Sequence, residues 1–172
     1  MPAVKAKLNK EKFKQVLHYI VDSCKTKDNI GKVALFKLLY FSDFNFYEIH
    51  EKSITNETYV KLPKGPAPRH FDEIVKEMEK EGKVKSVSRK FMGKTQYALI
   101  SLRQPDLSEL TAPEIKTIDL VIGLLSSMNA TQVSEFSHGD MPWKATKDME
   151  EIDYELVFYR NDLYSVRGSD AD

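Results

Sequence analysis

Apolar positions recur at helical spacing in four stretches of the chain and at strand spacing in one more. The first helix is predicted to start after Asn9, a residue suited to an N-cap, and Phe13, Val16, Leu17, Ile20, Val21 and Cys24 form its apolar stripe. A polar connection (Lys25 to Asn29) and Gly31 lead into KVALFKLLYFSDFNFYEI, where 12 of 18 residues from Lys32 to Ile49 are apolar or aromatic. A helix apolar over most of its circumference must be covered on several sides, so this one is expected at the centre of the fold. Phe71, Ile74, Val75 and Met78 predict a third helix ending near Gly82.

The remaining segments differ in character. Between the second and third helices, Ile54, Tyr59 and Val60 suggest short extended structure, while Pro63, Gly65, Pro66 and Pro68 exclude helix and place a turn at Gly65-Pro66. After Gly82, Val84, Val87 and Phe91 lie before a turn near Met92-Gly93-Lys94, and Tyr97 and Leu99 after it, which reads as a hairpin. A linker from Arg103 to Leu110 precedes Thr111-Ala112-Pro113-Glu114, a helix start with a capping box. Ile115, Ile118, Ile122 and Leu125 give that helix a buried stripe, which Leu124 and Met128 are expected to widen. A short helix follows from about Thr131 to Phe136, then the turn-rich SHGDMPWKAT with the only tryptophan, Trp143. DYELVFYRNDLYSV fits a strand or a short helix equally, and residues 168–172 read as a frayed end.

The expected class is α+β and mainly helical. Three helices and a hairpin make a winged-helix-like part over residues 10–102, and a C-terminal helical portion over 111–166 packs on it within one domain spanning 1–172. Fold class alone does not assign function.

Composition narrows the possibilities. With 172 residues, 26 Lys+Arg and 26 Asp+Glu, the chain has a formal net charge of zero and lacks the overall positive charge of nonspecific nucleic-acid binders. One cysteine excludes an intramolecular disulfide and a cysteine-rich zinc module. No apolar run approaches the ~20 residues that span a bilayer, and MPAVKAKLNKEKFK has no signal-peptide core, so a cytoplasmic location without a membrane partner is expected.

Candidate chemistry is sparse. Cys24 falls on an apolar stripe with no histidine placed beside it, which fits a small filler better than a nucleophile. His18, His50, His70 and His138 show no metal-binding spacing; His138 and Asp140 with Glu150 or Asp153 are a chance-level metal set. No glycine-rich phosphate loop occurs, and no cofactor is expected. Asp43 interrupts the apolar second helix and needs a partner, with Lys37, Arg69 or backbone amides of the Pro-rich loop as candidates. A structural hydrogen-bonding role is expected for it, since no second carboxylate is placed to work with it.

Charge is unevenly distributed. Lys83, Lys85, Arg89, Lys90 and Lys94 make the hairpin basic, suited to nucleic acid or to an acidic partner, whereas Asp148 to Glu155 carries five acidic residues and no basic one. The third helix, with Asp72, Glu73, Glu77, Glu79 and Glu81, would be repelled by a DNA groove, so DNA is not the favoured ligand.

KLLYFSD (Lys37 to Asp43), SIT…Y (Ser53 to Tyr59), GPAP (Gly65 to Pro68) and, later, Ser137-His138 with Pro142-Trp143-Lys144-Ala145-Thr146 occur in an order similar to the SocA-like, or Panacea, antitoxin domain. The resemblance covers roughly residues 10 to 147; one departure is His50-Glu51-Lys52, where relatives often place a glycine. It implies a non-enzymatic antitoxin that binds a cognate protein toxin, with a protease or its unfoldase as a further partner. Lys37, Tyr40, Asp43, Gly65 and Pro66 are then structural motif residues, and Tyr59, Lys61, Lys64, Arg69, His138 and Trp143 the expected partner contacts. Trp143 fits equally as a core plug against Tyr40, Phe44 or Tyr47. A winged-helix transcriptional regulator is the alternative.

Overall fold

The computed structural model describes residues 6–168, so the frayed end expected at 168–172 lies, but for Gly168, outside the described residues. The helices are α1 (Lys10–Ser23), α2 (Lys32–His50), α3 (Phe71–Lys80), α4 (Ala112–Leu125), α5 (Ala130–His138) and α6 (Met141–Lys144), and a 3₁₀ turn covers Tyr154–Tyr159. Two antiparallel hairpins complete the α+β fold: β1 (Tyr59–Leu62) with β2 (Gly65–Pro68), and β3 (Val84–Phe91) with β4 (Lys94–Ser101).

The helix ends follow local chemistry. Asn9 caps α1 by accepting from the Lys12 amide, and Thr111 and Glu114 form the capping box of α4. Met92 and Gly93 both take positive φ (53° and 78°), the backbone a two-residue hairpin turn needs between Phe91 and Lys94. Glu51 closes α2 with φ of 57°, at the place where glycine would carry no steric cost.

α2 is the hub of one core that runs from Phe13 to Val157 in sequence, including Leu17, Leu38, Tyr40, Phe44, Tyr59, Ile74, Met78, Ile118 and Val121. It packs against α1, α4, α5, β2, β4 and the 3₁₀ turn. Its residues from Ala34 to Phe46 are buried except Phe36, as an all-round apolar helix requires.

The structure corrects three expectations and decides a fourth that was open. Gly65-Pro66 does not turn the chain: Pro63 and Lys64 do, and GPAP is a buried strand registered Tyr59↔Pro68 and Lys61↔Pro66. The Arg69 amide bonds the Thr58 carbonyl on the β1 side, so the nitrogens of Pro66 and Pro68, on alternate positions, face away from β1, and the strand tolerates both prolines. The turn-rich stretch holds the end of α5 and all of α6. Leu124 does not widen the core stripe of α4; it is 56% exposed, because Ile118, Val121 and Leu125 centre that face about 100° away around the helix. Of the two alternatives for the aromatic tail, the short helix is the one found, as the 3₁₀ turn, anchored where Glu151 bridges to Val60.

Candidate functional site

The chemistry-bearing side chains converge on α2. Residues two apart on a helix project about 200° apart, so Asp43 and Asn45 reach opposite sides, and each polar residue of this buried helix ties down a different segment.

Asp43 fastens the loop after the helix. Its Oδ1 accepts from the Ile54 and Thr55 amides, both at 2.9 Å, and its Oδ2 from Thr55 Oγ1 at 2.6 Å and the Tyr59 hydroxyl at 2.7 Å. Burial pushes this carboxyl up to about 6, against the pull of the four donors, so it is ionised at neutral pH. The expected cationic partners are engaged elsewhere. Lys37 donates to the Pro66 carbonyl at 3.2 Å, and Arg69 pairs with Glu151 at 2.6 Å.

Tyr40, Asn45 and Glu48 anchor the C-terminal region through Arg160. The guanidinium grips Asp140 with two bonds of 2.8 Å and reaches Asn45 Oδ1 at 2.8 Å and Glu48 Oε1 at 2.9 Å. The Tyr40 hydroxyl bonds the same Asp140 at 2.7 Å, and Glu48 also accepts from Ser165, Val166 and Arg167. Burial works against the charge of Arg160, but neighbouring Asp140 more than restores it and its pKa is raised. In Glu48, burial is outweighed by the Ser165 hydroxyl and Arg160, so its pKa is lowered. Both Asp140 oxygens are thus occupied by Arg160 and Tyr40, and among the described residues no cluster of three His, Cys, Asp or Glu could hold a metal.

Lys37 stands apart. Its side chain is buried without a carboxylate partner among the described residues, against Gly65, whose φ is 115° and where a Cβ would lie 2.5 Å from Lys37 Cε and also meet Ser137 Oγ. Burial, with Lys64 nearby, pushes the Lys37 pKa down to about 7. An unfolded lysine titrates near 10.4, so between pH 7 and 10 the unfolded chain holds the proton that the folded chain has released. Folding stability should therefore rise with pH across that window. Denaturant titrations at pH 7 and 10 are expected to show Lys37→Met losing that rise, about 3–4 kcal/mol; an unchanged slope would contradict it.

The expected partner contacts divide. Tyr59 is wholly buried with its hydroxyl on Asp43, which puts it out of reach of a docking protein. Trp143 stacks on His138 (centroids 4.3 Å apart), and the Lys61 ammonium lies 3.9 Å over its ring. Two groups this close cannot share a face, so Trp143 is sandwiched between them, and its Nε1 donates to the Leu62 carbonyl at 3.3 Å. This packing mounts the β1–β2 hairpin on α5 and α6; Tyr154 occupies the place beside Phe44 and Tyr47 that was one expectation for Trp143. Lys64 is exposed in the hairpin turn, and Arg69 lies at its base. The second basic set sits on β3, β4 and just before them: Lys83 pairs with Glu81 at 3.3 Å, while Lys85, Arg89, Lys90 and Lys94 have no ion pair among the described residues.

Sequence reasoning missed Glu48, Asn45 and Arg160. The first two carried a signal, being polar interruptions of an apolar helix like Asp43; Arg160, in the ambiguous tail, carried none. Chemically the lattice is closed: its ions neutralise one another or are capped by donors, and two cavities among the described residues have other linings.

The family model described as "Antitoxin SocA-like, Panacea domain" matches residues 35–144, from the first turns of α2 to α6. No curated protein and no solved structure matches the chain.

Proposed function

Because the chain belongs to the SocA-like, Panacea-domain antitoxin family, we propose that it neutralises a cognate protein toxin by direct binding. The family match over residues 35–144 carries this reading. The geometry supports it: the ionisable groups of α2 are consumed in tying loops to the hub, which makes a rigid scaffold and leaves recognition to the surface. In this reading the protein works in the cytoplasm as one unit over residues 1–172, with the winged-helix-like part at 10–102 and the helical part at 111–166. Lys64 and Arg69 belong to the contact surface, with Lys61, His138 and Trp143 holding the hairpin that presents Lys64. Delivery of bound toxin to a protease or its unfoldase is one route to neutralisation.

Co-expression with the product of the adjacent gene tests the reading. Growth arrest by that product should be relieved by this chain; no relief of arrest by a toxic neighbour would contradict it.

One observation favours the transcriptional regulator as a second reading. Four of the five carboxylates on and just after α3 that would repel DNA are met by lysines: Glu73 and Glu77 by Lys10, Glu77 and Glu81 by Lys14, and Asp72 by Lys32. Of this set, that leaves Glu79, which accepts from the Ser86 amide, to oppose the basic hairpin. Under this reading Lys85→Glu with Arg89→Glu abolishes a gel shift on the chain's own promoter, and binding of the wild type falls steeply with salt.

A further inference from the structure

Between the β3–β4 hairpin and the starts of α2 and α3 lies a groove of about 470 Å³. Leu35, Phe71, Val75, Val87, Ala98 and Leu99 line it, and Tyr97 stands over it with 64% of its surface exposed. The geometry points to this groove as the seat of an apolar segment of the protein partner, flanked by carboxylates that meet the hairpin's cations. The inference rests on the antitoxin reading and gives it a surface.

Charge selects the occupant. From Lys83 to Pro105 the chain holds six cations and no carboxylate. The one carboxylate lining the groove, Asp72, is bound by Lys32 at 2.8 Å, and Glu79 on the same helix accepts from the Ser86 amide at 3.2 Å. Glu79 keeps its charge in that bond. Against it, Lys85, Lys90 and Lys94 stand without an ion pair among the described residues on the hairpin that walls the groove, whereas Arg89 reaches the Asp28 carbonyl at the other cavity. The excess charge beside the groove is therefore positive, and an acidic partner is both attracted and oriented by it. The apolar lining favours protein over nucleic acid, whose phosphates gain nothing from Phe71, Val75 or Leu99. A second copy of this chain is a poor occupant. Its acidic run, Asp148 to Glu155, has Ile152 buried in its own core and exposes only Met149 as a large apolar side chain.

The test is calorimetric titration of the purified chain with the product of the adjacent gene. Tyr97→Ser removes the exposed aromatic, and Lys85→Glu with Lys90→Glu reverses two exposed cations, so a folded form survives in at least one variant, checked by its melting curve. Each is expected to weaken binding about tenfold or more, the charge variant more at low salt than at high. Leu120→Ser, on the exposed side of α4, is expected to bind as the wild type does. Unchanged affinity in both folded groove variants would overturn the groove while leaving the antitoxin reading intact. No binding and no growth rescue by the wild type would remove that reading, and the groove's partner with it. Loss of DNA affinity with protein binding unaltered would assign the hairpin to nucleic acid, and variants that dissolve a concentration-dependent dimer would assign the groove to a second copy; either overturns the inference.

Discussion

Arg160→Met is expected to destabilise the folded chain by about 3–5 kcal/mol, the cost of removing one partner from a buried ion pair. The reason is the company Arg160 keeps. Its guanidinium satisfies Asp140 with two bonds and Glu48 with a third, and the Arg160 and Asp140 side chains and that of Glu48 are wholly buried at those contacts. Methionine fills much of the volume but leaves Asp140 with the Tyr40 hydroxyl and Glu48 with Ser165, Val166 and Arg167. Asp140 loses more than Glu48 does. The companion variant Asp140→Asn with Arg160→Met should recover part of the loss, because the worst-paired charge goes with its partner. Urea unfolding of the single and double variants measures both. A loss below about 1 kcal/mol for Arg160→Met, typical of a solvent-screened pair, would show that this lattice is wet rather than sealed.

Asp43→Ala has the second large effect, about 4 kcal/mol, by a different route. No cation is orphaned; four donors are. The Ile54 and Thr55 amides, the Thr55 hydroxyl and the Tyr59 hydroxyl all lose their acceptor in a place that solvent does not reach, and an unsatisfied buried group costs about 1–3 kcal/mol. Asp43→Asn keeps one acceptor oxygen and should lose about half as much. The effect should also be local: amide hydrogen exchange at Ile54 and Thr55 should accelerate before that of the core helices. Uniform acceleration across the molecule would contradict a role in fastening this loop.

These two residues also mark how far the sequence could be read. Asp43 was recognisable as a buried structural acceptor because it breaks an apolar run, and backbone amides were among its candidate partners. The donors belong to the Ser53–Tyr59 loop and not to the Pro-rich strand, because α2 ends at Glu51 in a left-handed cap that folds this loop back on the helix. Caps and turns written in a few adjacent residues were legible: Asn9, Thr111 with Glu114, and Met92-Gly93. GPAP was misread because proline argues against a strand, and only the pairing register shows that both ring nitrogens point away from β1. Arg160 was beyond reach, since its partner Asn45 lies 115 residues away and nothing near it in the tail signals a buried cation. The resemblance to the antitoxin family was carried by residues that build this scaffold: Lys37 under Gly65, Tyr40 on Asp140, Asp43 on its loop, and Trp143 between Lys61 and His138. The apolar groove lies apart from those four contacts, against the hairpin that follows α3.

The most direct trial of the proposal that this chain works by holding another protein is stoichiometry. Purified chain and the adjacent gene's product, mixed over a range of ratios, should co-elute as a complex of fixed composition, with neutralisation saturating at that ratio and both intact masses unchanged. Neutralisation by far less than an equivalent, with a change in the toxin's mass or no complex at all, would contradict the account.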